Sequence, residues 1–183
     1  MATGYHWRMN KGRLLRALVF LGLVFVIGVG LDRMPNCPIK EQEELVSGSS
    51  LSGFIEHGQT VVAEYGYYAC NPVASGDVVL YNHPGVEVPI IKIVKAVPGD
   101  QWRVVKVAGG TELIVNESVA KNSLGQPYVF TKATVLSLYE KDSGGIMPAD
   151  SFIILGNQPG GTLDSTRFGF AHQNQLVARV RVD

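Results

Sequence analysis

The stretch Val88–Asp100, VPIIKIVKAVPGD, is a run of β-branched residues that ends in a proline-glycine turn. Runs of this kind, bounded by turn residues, are typical of β-strands. Similar runs recur along the chain, and no long amphipathic helical pattern appears after residue 45. The pattern predicts an all-β body, rich in hairpins and coiled into a barrel-like shape. The other predicted strands are Thr60–Tyr68, Asp77–Asn82, Trp102–Val107, Glu112–Asn116, Phe152–Gly156 and Leu176–Val182.

Lys92 is the unusual residue of this run, because apolar residues flank it on both sides. Strand alternation places Lys92 on the same face as Ile90 and Val94. If that face is buried, desolvation lowers the lysine pKa, and a shift to about 8 costs the fold about 3 kcal/mol. Two interpretations are open on the pattern alone. Lys92 is either a lysine that extends outward from an edge strand or a neutral base that activates a serine.

Candidate serines lie upstream, in the segment Leu45–Gly58, LVSGSSLSGFIEHG. Clusters of glycine and serine usually mark loops, so a flexible linker is one interpretation of this segment. The other is that one hydroxyl, at Ser47, Ser49, Ser50 or Ser52, is chemically active. The pattern favours solvent-facing loop histidines at His57 and His83, because their order relative to serine and aspartate fits no familiar catalytic motif.

The N-terminal part of the chain has a different composition from the rest. Residues 1–16 form a basic head with no acidic residue, and residues 17–31, ALVFLGLVFVIGVGL, carry no charge. With Leu14 and Leu15 added, this segment approaches the lower limit of about 17 residues for a transmembrane helix. We expect a single-pass anchor in the cell membrane, with the basic head in the cytoplasm and the body outside it. A cleaved signal peptide is the alternative, and it also exports the body.

Four parts follow from this organisation: the cytoplasmic head 1–16, the anchor 17–31, a polar linker 32–45 and an exported β domain 46–183. Within the domain, residues 109–147 include a more irregular stretch and are interpreted as a small inserted excursion. The balanced formal charge of the chain gives no indication of nucleic-acid binding.

Two cysteines, Cys37 and Cys70, could form a disulfide in an exported domain or remain free thiols, and the sequence leaves both open. Their spacing matches no metal motif, and the four histidines are scattered along the chain. The sequence therefore predicts neither a metal site nor a cofactor.

Four blocks of sequence occur in an order and with spacings that are more specific than any one block alone. Single matches such as Pro-Gly-Asp recur by chance, whereas four in order do not. The blocks are Ser49–Gly58, Gly76–Leu80, Lys92 to Asp100, and Gly156–Gly169 with the stretch Thr162-Leu163-Asp164-Ser165-Thr166-Arg167-Phe168-Gly169.

From about Val46 onward, these blocks resemble those of type I signal peptidases, which are membrane-anchored endopeptidases with a Ser-Lys pair. The resemblance implies that Ser50 is the nucleophile and Lys92 the general base. It also implies that the Ser50 backbone N–H, with help from that of Gly48, binds the oxyanion. Thr162 stands where the family has a serine that hydrogen-bonds the lysine.

Asp164 is expected to be a structural support that pairs with Arg167 or another cation, and a capped turn between strands is the alternative for Thr162 and Asp164. The chain departs from the family pattern at several positions. Asn157 replaces an aspartate, and Arg167 lies one place later than the family's arginine. Leu51 and Gly53 replace the usual methionine and proline.

The implied activity is cleavage of signal peptides from exported preproteins, with the substrate bound as an added strand. The implied partners are these signal peptides and the lipid bilayer, close to the Sec translocon. Two alternatives stay open. One is a pilin-processing peptidase of conjugative transfer from the same superfamily, and the other is an inactive exported β module that binds peptides.

Overall fold

The computed structural model describes residues 37–131 and 134–182, in which two antiparallel β-sheets and two short helices are formed. The prediction of a body made mostly of antiparallel β-strands is confirmed. The predicted head 1–16 and anchor 17–31 lie outside the described residues. Within the described ranges, no helix has the length and apolar character needed to cross a bilayer.

The strands and helices alternate with tight turns, as the spacing of glycine and proline predicts. Eleven strands, two α-helices and two 3₁₀ helices (Tyr67–Ala69 and Gln173–Gln175) are formed in the described part of the chain. They are β1 (Lys40–Leu45), β2 (Thr60–Tyr65), β3 (Val78–Tyr81), β4 (Ile90–Ala96), β5 (Trp102–Val107), β6 (Gly110–Val115), β7 (Ser118–Val119), β8 (Val129–Phe130), α1 (Leu136–Ser143), β9 (Ser151–Leu155), α2 (Ser165–Phe168), β10 (Ala171–His172) and β11 (Leu176–Arg181).

The larger sheet has the strand order β1-β2-β11-β3-β4-β9-β10. Its central strands are buried on both faces, because successive residues of β3 belong to different apolar clusters. Val78 and Leu80 pack in the cluster that also contains Leu51 and Ile55, whereas Val79 packs in a second apolar cluster. The last strand of the chain, β11, lies between β2 and β3.

The smaller sheet is built by the segment that the sequence predicts as an irregular excursion, together with β5. Strand β6 pairs with β5, β7 and β8, and α1 follows. A third apolar cluster joins this part to the larger sheet, because Ile153 and Leu155 of β9 pack with Trp102 and Leu136. Residues 109–147 thus contain short hairpin strands and a helix, which are built on the same core.

The predicted linker 32–45 differs from the structure at its C-terminal end, where Lys40–Leu45 forms strand β1. The sequence KEQEEL shows no alternation of apolar residues because β1 is an edge strand and nearly all of its side chains are exposed. Polar contacts hold it in place: Glu41 accepts a hydrogen bond from Arg181 at 2.9 Å, and Glu44 accepts one from the Tyr65 hydroxyl at 2.7 Å.

A disulfide between Cys37 and Cys70 closes a loop that contains β1, β2 and the glycine-serine segment between them. The cross-link restricts the unfolded chain more than the folded one, and so it stabilises this part of the fold. Of the two states that the sequence leaves open for these cysteines, the structure contains the disulfide.

Candidate active site

The glycine-serine segment between β1 and β2 is a folded loop and not a flexible linker. Leu51 and Ile55 are completely buried in the core beneath the larger sheet. Between these two anchors the backbone makes helix-like turns, in which the amides of Phe54 and Ile55 donate to the carbonyl of Leu51. Ser50 directly precedes the first anchor, so its position is fixed by the packing of Leu51.

Lys92 lies on β4, where it pairs with Val79 of β3. Its side chain is only 3% exposed, so the buried interpretation of this lysine is the one that the structure contains. The Nζ atom lies 2.8 Å from the Ser50 Oγ and donates to the Ile91 carbonyl at 2.8 Å. The two side chains that the sequence singles out, 42 residues apart, are therefore in hydrogen-bond contact.

Burial controls the protonation of this lysine. Desolvation lowers the pKa of Lys92 to about 8, and the negative charge of Asp164 acts in the opposite direction. Because the charged form loses its hydration in the core, the neutral amine is populated at mildly alkaline pH. A neutral amine beside a serine hydroxyl can accept its proton.

The strand-to-helix connection after β9 packs against the serine. A Cβ on Gly156 would lie 2.7 Å from the Ser50 carbonyl oxygen and 2.5 Å from the Thr162 Oγ1, so only glycine fits there. The next amide, that of Asn157, donates to the Ser50 carbonyl at 2.7 Å. This connection therefore supports the nucleophile loop from the side of β9.

Thr162 lies next to this site, but it makes a different hydrogen bond from the one expected. Its hydroxyl donates to the Asp164 Oδ2 at 2.8 Å. The expected hydrogen bond between Thr162 and Lys92 is absent from the described residues. The Lys92 Nζ contacts the Ser50 Oγ and the Ile91 carbonyl instead.

Asp164 is completely buried and caps the N-terminus of α2. Its carboxylate accepts hydrogen bonds only from neutral groups: Gly156 N at 3.1 Å, Thr162 N at 3.0 Å, Thr162 Oγ1 at 2.8 Å, Thr166 N at 3.0 Å and Thr166 Oγ1 at 2.6 Å. The expected pairing with Arg167 is not formed, because Arg167 is exposed and the Thr166 hydroxyl and amide occupy Oδ1. The alternative of a capped turn is therefore the arrangement found.

We expect Asp164→Asn to lower the free energy of unfolding by about 2–4 kcal/mol, because the amide NH₂ would face N–H and O–H donors whichever way it is turned. Urea denaturation at pH 7 measures this loss. The matched control is Asp150→Asn, an exposed position on the turn before β9, which should change the stability little. An Asp164→Asn protein as stable as the wild type would contradict the role of the carboxylate as a buried acceptor.

Gly48 also differs from its expected role. Its backbone has φ of 102°, which favours glycine, and its N–H donates to the His57 Nδ1 at 3.1 Å. This N–H is therefore not free to bind an oxyanion while the imidazole accepts from it. By contrast, no residue in the described ranges accepts a hydrogen bond from the Ser50 N–H, so that donor is open.

A cleft of about 310 Å³ contains both Ser50 and Lys92. Its two sides are the end of β1 with the residues that follow it, and the start of β4. Its floor is apolar, with Val61 of β2 and Leu80 of β3. From Ile90 to Lys92, β4 pairs with β3 alone, because β9 begins to pair at Ile93. The backbone edge of β4 is thus open where it borders the cleft.

Sequence reasoning missed three side chains that hold the nucleophile loop: His57, Asn157 and Gln158. The Asn157 side chain donates to the Ser52 carbonyl at 3.1 Å, and that of Gln158 donates to the Ser49 carbonyl at 3.4 Å. These contacts join residues more than a hundred positions apart. The only sequence signal is the departure of Asn157 from the family's aspartate.

A serine that contacts a buried lysine is the arrangement of serine hydrolases that use an amine in place of histidine. Comparison with known proteins shows the family to which the chain belongs. The family model described as "Signal peptidase, peptidase S26" matches residues 37–183. The chain therefore belongs to this peptidase family, and the resemblance to type I signal peptidases found in the sequence is confirmed.

Two individual proteins are similar to this chain. A signal peptidase I from Leptolyngbya laminosa is 24% identical over 177 residues, which cover 92% of this chain and 78% of the relative. The crystal structure of a signal peptidase I from Enterococcus faecalis V583 is 19% identical, with a TM-score of 0.45. That match covers 61% of this chain and 98% of the other.

Proposed function

We propose that this protein is a membrane-anchored serine endopeptidase that cleaves signal peptides from exported preproteins with Ser50 as nucleophile and Lys92 as base. The observation that carries the proposal is the 2.8 Å contact between the Lys92 Nζ and the Ser50 Oγ at a buried amine. Membership of the signal peptidase family supports the substrate class.

In the proposed reaction, the Ser50 Oγ attacks the carbonyl carbon of the scissile peptide bond while neutral Lys92 accepts the hydroxyl proton. The tetrahedral intermediate collapses as the C–N bond breaks, and the Lys92 ammonium returns the proton to the leaving amine. The products of this half are an acyl ester on Ser50 and a free N-terminus. Lys92, neutral again, then takes a proton from a water that attacks the ester carbonyl. The ester C–O bond breaks, the Lys92 ammonium returns the proton to the Ser50 Oγ, and the signal peptide leaves with a free C-terminal carboxyl group.

The oxyanion of the intermediate is bound by the Ser50 N–H, which has no other acceptor among the described residues. One such donor contributes about 10²–10³ in rate in related chemistry. A second donor from Gly48 requires its N–H to leave the His57 Nδ1. The structure therefore has one free donor for the oxyanion, the Ser50 N–H. The Gly48 N–H would have to become available in the substrate complex.

The cleft is suited to a substrate that binds as an extended peptide. Its two sides offer open backbone edges, at β1 and at Ile90–Lys92, so a peptide can pair with them as an added strand. The apolar floor at Val61 and Leu80 accepts alternate side chains. The resemblance to type I signal peptidases implies small residues at the positions one and three before the scissile bond.

The anchor is part of the same proposal. Residues 17–31 hold the protein in the cell membrane in a single pass, with residues 1–16 in the cytoplasm. The catalytic domain then faces the extracytoplasmic side of the bilayer, near the Sec translocon, where signal peptides emerge.

The direct test incubates the full chain, in detergent or vesicles, with a preprotein and sequences the new N-terminus of the product. A serine-directed acylating probe should become attached at Ser50, as mass spectrometry of tryptic peptides would show. Cleavage at the signal-peptide junction together with labelling of Ser50 supports the proposal. Absence of both would rule it out.

We expect the activity to fall on the acid side of about pH 8, where burial sets the pKa of Lys92. Below this pH the lysine is protonated and cannot accept the serine proton, so kcat/KM should decrease about tenfold per pH unit. Initial rates between about pH 6 and pH 9 measure the profile. A flat profile over this range would contradict the role of Lys92 as base.

A further inference from the structure

Two buried asparagines link the nucleophile loop to a distant hairpin. Asn122 is 6% exposed and Asn157 is 2% exposed. The Asn122 side chain donates to the Asn157 carbonyl at 3.0 Å. Buried side-chain amides are costly unless their donors and acceptors are satisfied, so both residues need hydrogen-bond partners.

The Asn157 amide has a fixed orientation because its two ends have opposite partners. The Nδ2 donates to the Ser52 carbonyl at 3.1 Å, and the Oδ1 accepts from the Ser123 N–H at 2.9 Å. Together with the Asn157 N–H on the Ser50 carbonyl, this gives the residue two hydrogen bonds to the turn that carries the nucleophile. One residue thus fixes the backbone on both sides of Leu51.

Asn122 makes the hairpin 121–127 rigid. The Asn122 Oδ1 accepts from the amides of Leu124 and Gln126, at 3.0 Å and 2.9 Å. Its Nδ2 also donates to the Gln126 Oε1 at 3.0 Å. The hairpin is closed by pairing of Lys121 with Pro127, and Leu124 packs at Gly53, where an added Cβ would lie 3.3 Å from the leucine Cδ1.

We propose that Asn157 is a positioning residue for Ser50, and that Asn122 and the hairpin 121–127 support it from behind. This inference rests on the proposed function of the Ser50–Lys92 pair. It assigns a purpose to the departure from the family pattern at position 157. An aspartate there would keep the acceptor for the Ser123 N–H, but it would lose the donor and place a negative charge against the Ser52 carbonyl.

Replacing Asn157 with the aspartate that the family has at this position should therefore lower the activity of this protein. We expect Asn157→Asp to lower kcat about 10–100-fold, because a shift of the nucleophile by a fraction of an ångström to 1 Å has effects of this size. The KM should stay within about threefold of the wild-type value, since the residue does not line the cleft. A purely structural role would lower the fraction of folded protein but leave kcat per folded molecule unchanged, so the folded fraction of each variant is measured by circular dichroism and kcat is given per folded molecule.

Asn116→Asp is the matched control. Asn116 also accepts from a backbone amide, that of Gln101, and donates to an oxygen, the Asp100 Oδ1, but it lies at the turn between β6 and β7. The kcat of this control should be close to that of the wild type, although its stability falls. All kinetics are measured with a preprotein on the alkaline plateau, and the rate of Ser50 acylation by the probe is measured in parallel.

Asn122→Asp provides a second test should Asn157→Asp fail to fold. It keeps both accepted hydrogen bonds in the hairpin and loses the two that the Nδ2 donates, to the Asn157 carbonyl and to the Gln126 Oε1, of which only the first reaches Asn157. We expect a loss of about 3–10-fold in kcat, as for one buried hydrogen bond of about 1 kcal/mol. An unchanged kcat in the folded variants would overturn the inference alone. A wild-type protein that neither cleaves nor is acylated at Ser50 would overturn the proposed function as well.

Discussion

Ser50→Ala should reduce preprotein cleavage by at least about 10³-fold, because the reaction loses the atom that forms the acyl ester. The residual rate would come from the remaining oxyanion donor and from substrate binding. The fold should be retained, since Ser50 contributes to the core only through its neighbour Leu51, and its backbone contact to Asn157 is unchanged. The variant should bind a signal peptide with nearly unchanged affinity, which fluorescence anisotropy of a labelled peptide would measure.

The adjacent Ser49→Ala serves as the control. Ser49 is exposed, and only its carbonyl is used by the loop, where it accepts from the Ser52 amide. Its kcat/KM should remain within about twofold of that of the wild type. If Ser50→Ala kept substantial activity, or if Ser49→Ala lost as much as Ser50→Ala, the assignment of the nucleophile would be wrong.

Lys92→Met should also abolish cleavage, by at least about 10³-fold, while it stabilises the protein at neutral pH. The activity is lost because no other base contacts the Ser50 Oγ among the described residues. Stability is gained because the wild type has to bury an ammonium below about pH 8, whereas the unfolded chain holds the same charge in water. Methionine has a similar length and no charge.

The sign of the stability effect follows from the lowered pKa. Between about pH 8 and the unfolded lysine pKa of about 10.4, the unfolded state binds more protons than the folded state, so wild-type stability rises with pH through this window. Below about pH 8, the full cost of burying the Lys92 ammonium remains. Lys92→Met should therefore be more stable at pH 7 by about 1–3 kcal/mol, after allowance for the lost bond to the Ile91 carbonyl. The advantage should fade by about pH 10.

Lys95→Met is the control for the cleavage measurement. Lys95 lies on the same strand, and its Nζ donates to the Lys121 carbonyl at 2.9 Å, away from Ser50. It should keep its cleavage activity. Urea titrations at several pH values, together with cleavage rates, test both halves of the prediction. A Lys92→Met variant that cleaves would refute the role of Lys92 as base, and one that is less stable than the wild type at pH 7 would refute the destabilising effect of its buried ammonium.

Most of the β-strands could be predicted because they carry β-branched residues between clear turns. Strand β5 begins and ends where the sequence places it, and β4, β9 and β11 differ from the prediction only at their ends. Strand β1 could not be predicted, because a strand whose side chains face water on both sides needs no apolar alternation. The two-residue strands β7, β8 and β10 are too short to produce a pattern.

The residues of the candidate active site likewise include some that could be predicted from the sequence and some that could not. Ser50 and Lys92 could be singled out because lysine is rare in an apolar run and because the four sequence blocks occur in a specific order. The partners of Thr162, Asp164 and Gly48 could not be predicted, since they depend on backbone amides and on turns that only the folded chain brings together. An aspartate that accepts five hydrogen bonds from neutral groups has the same sequence signature as one that pairs with arginine.

The charges of strand β1 have a consequence for association between copies of the protein. An exposed strand edge is a template for pairing with any other strand. Two copies of Lys40–Leu45 placed side by side would bring glutamates opposite glutamates, with Glu41 facing Glu44 in the antiparallel register, and like charges in such positions repel. A preprotein segment without acidic residues meets no such barrier. The acidic border is therefore expected to oppose the pairing of two copies of the protein through this edge.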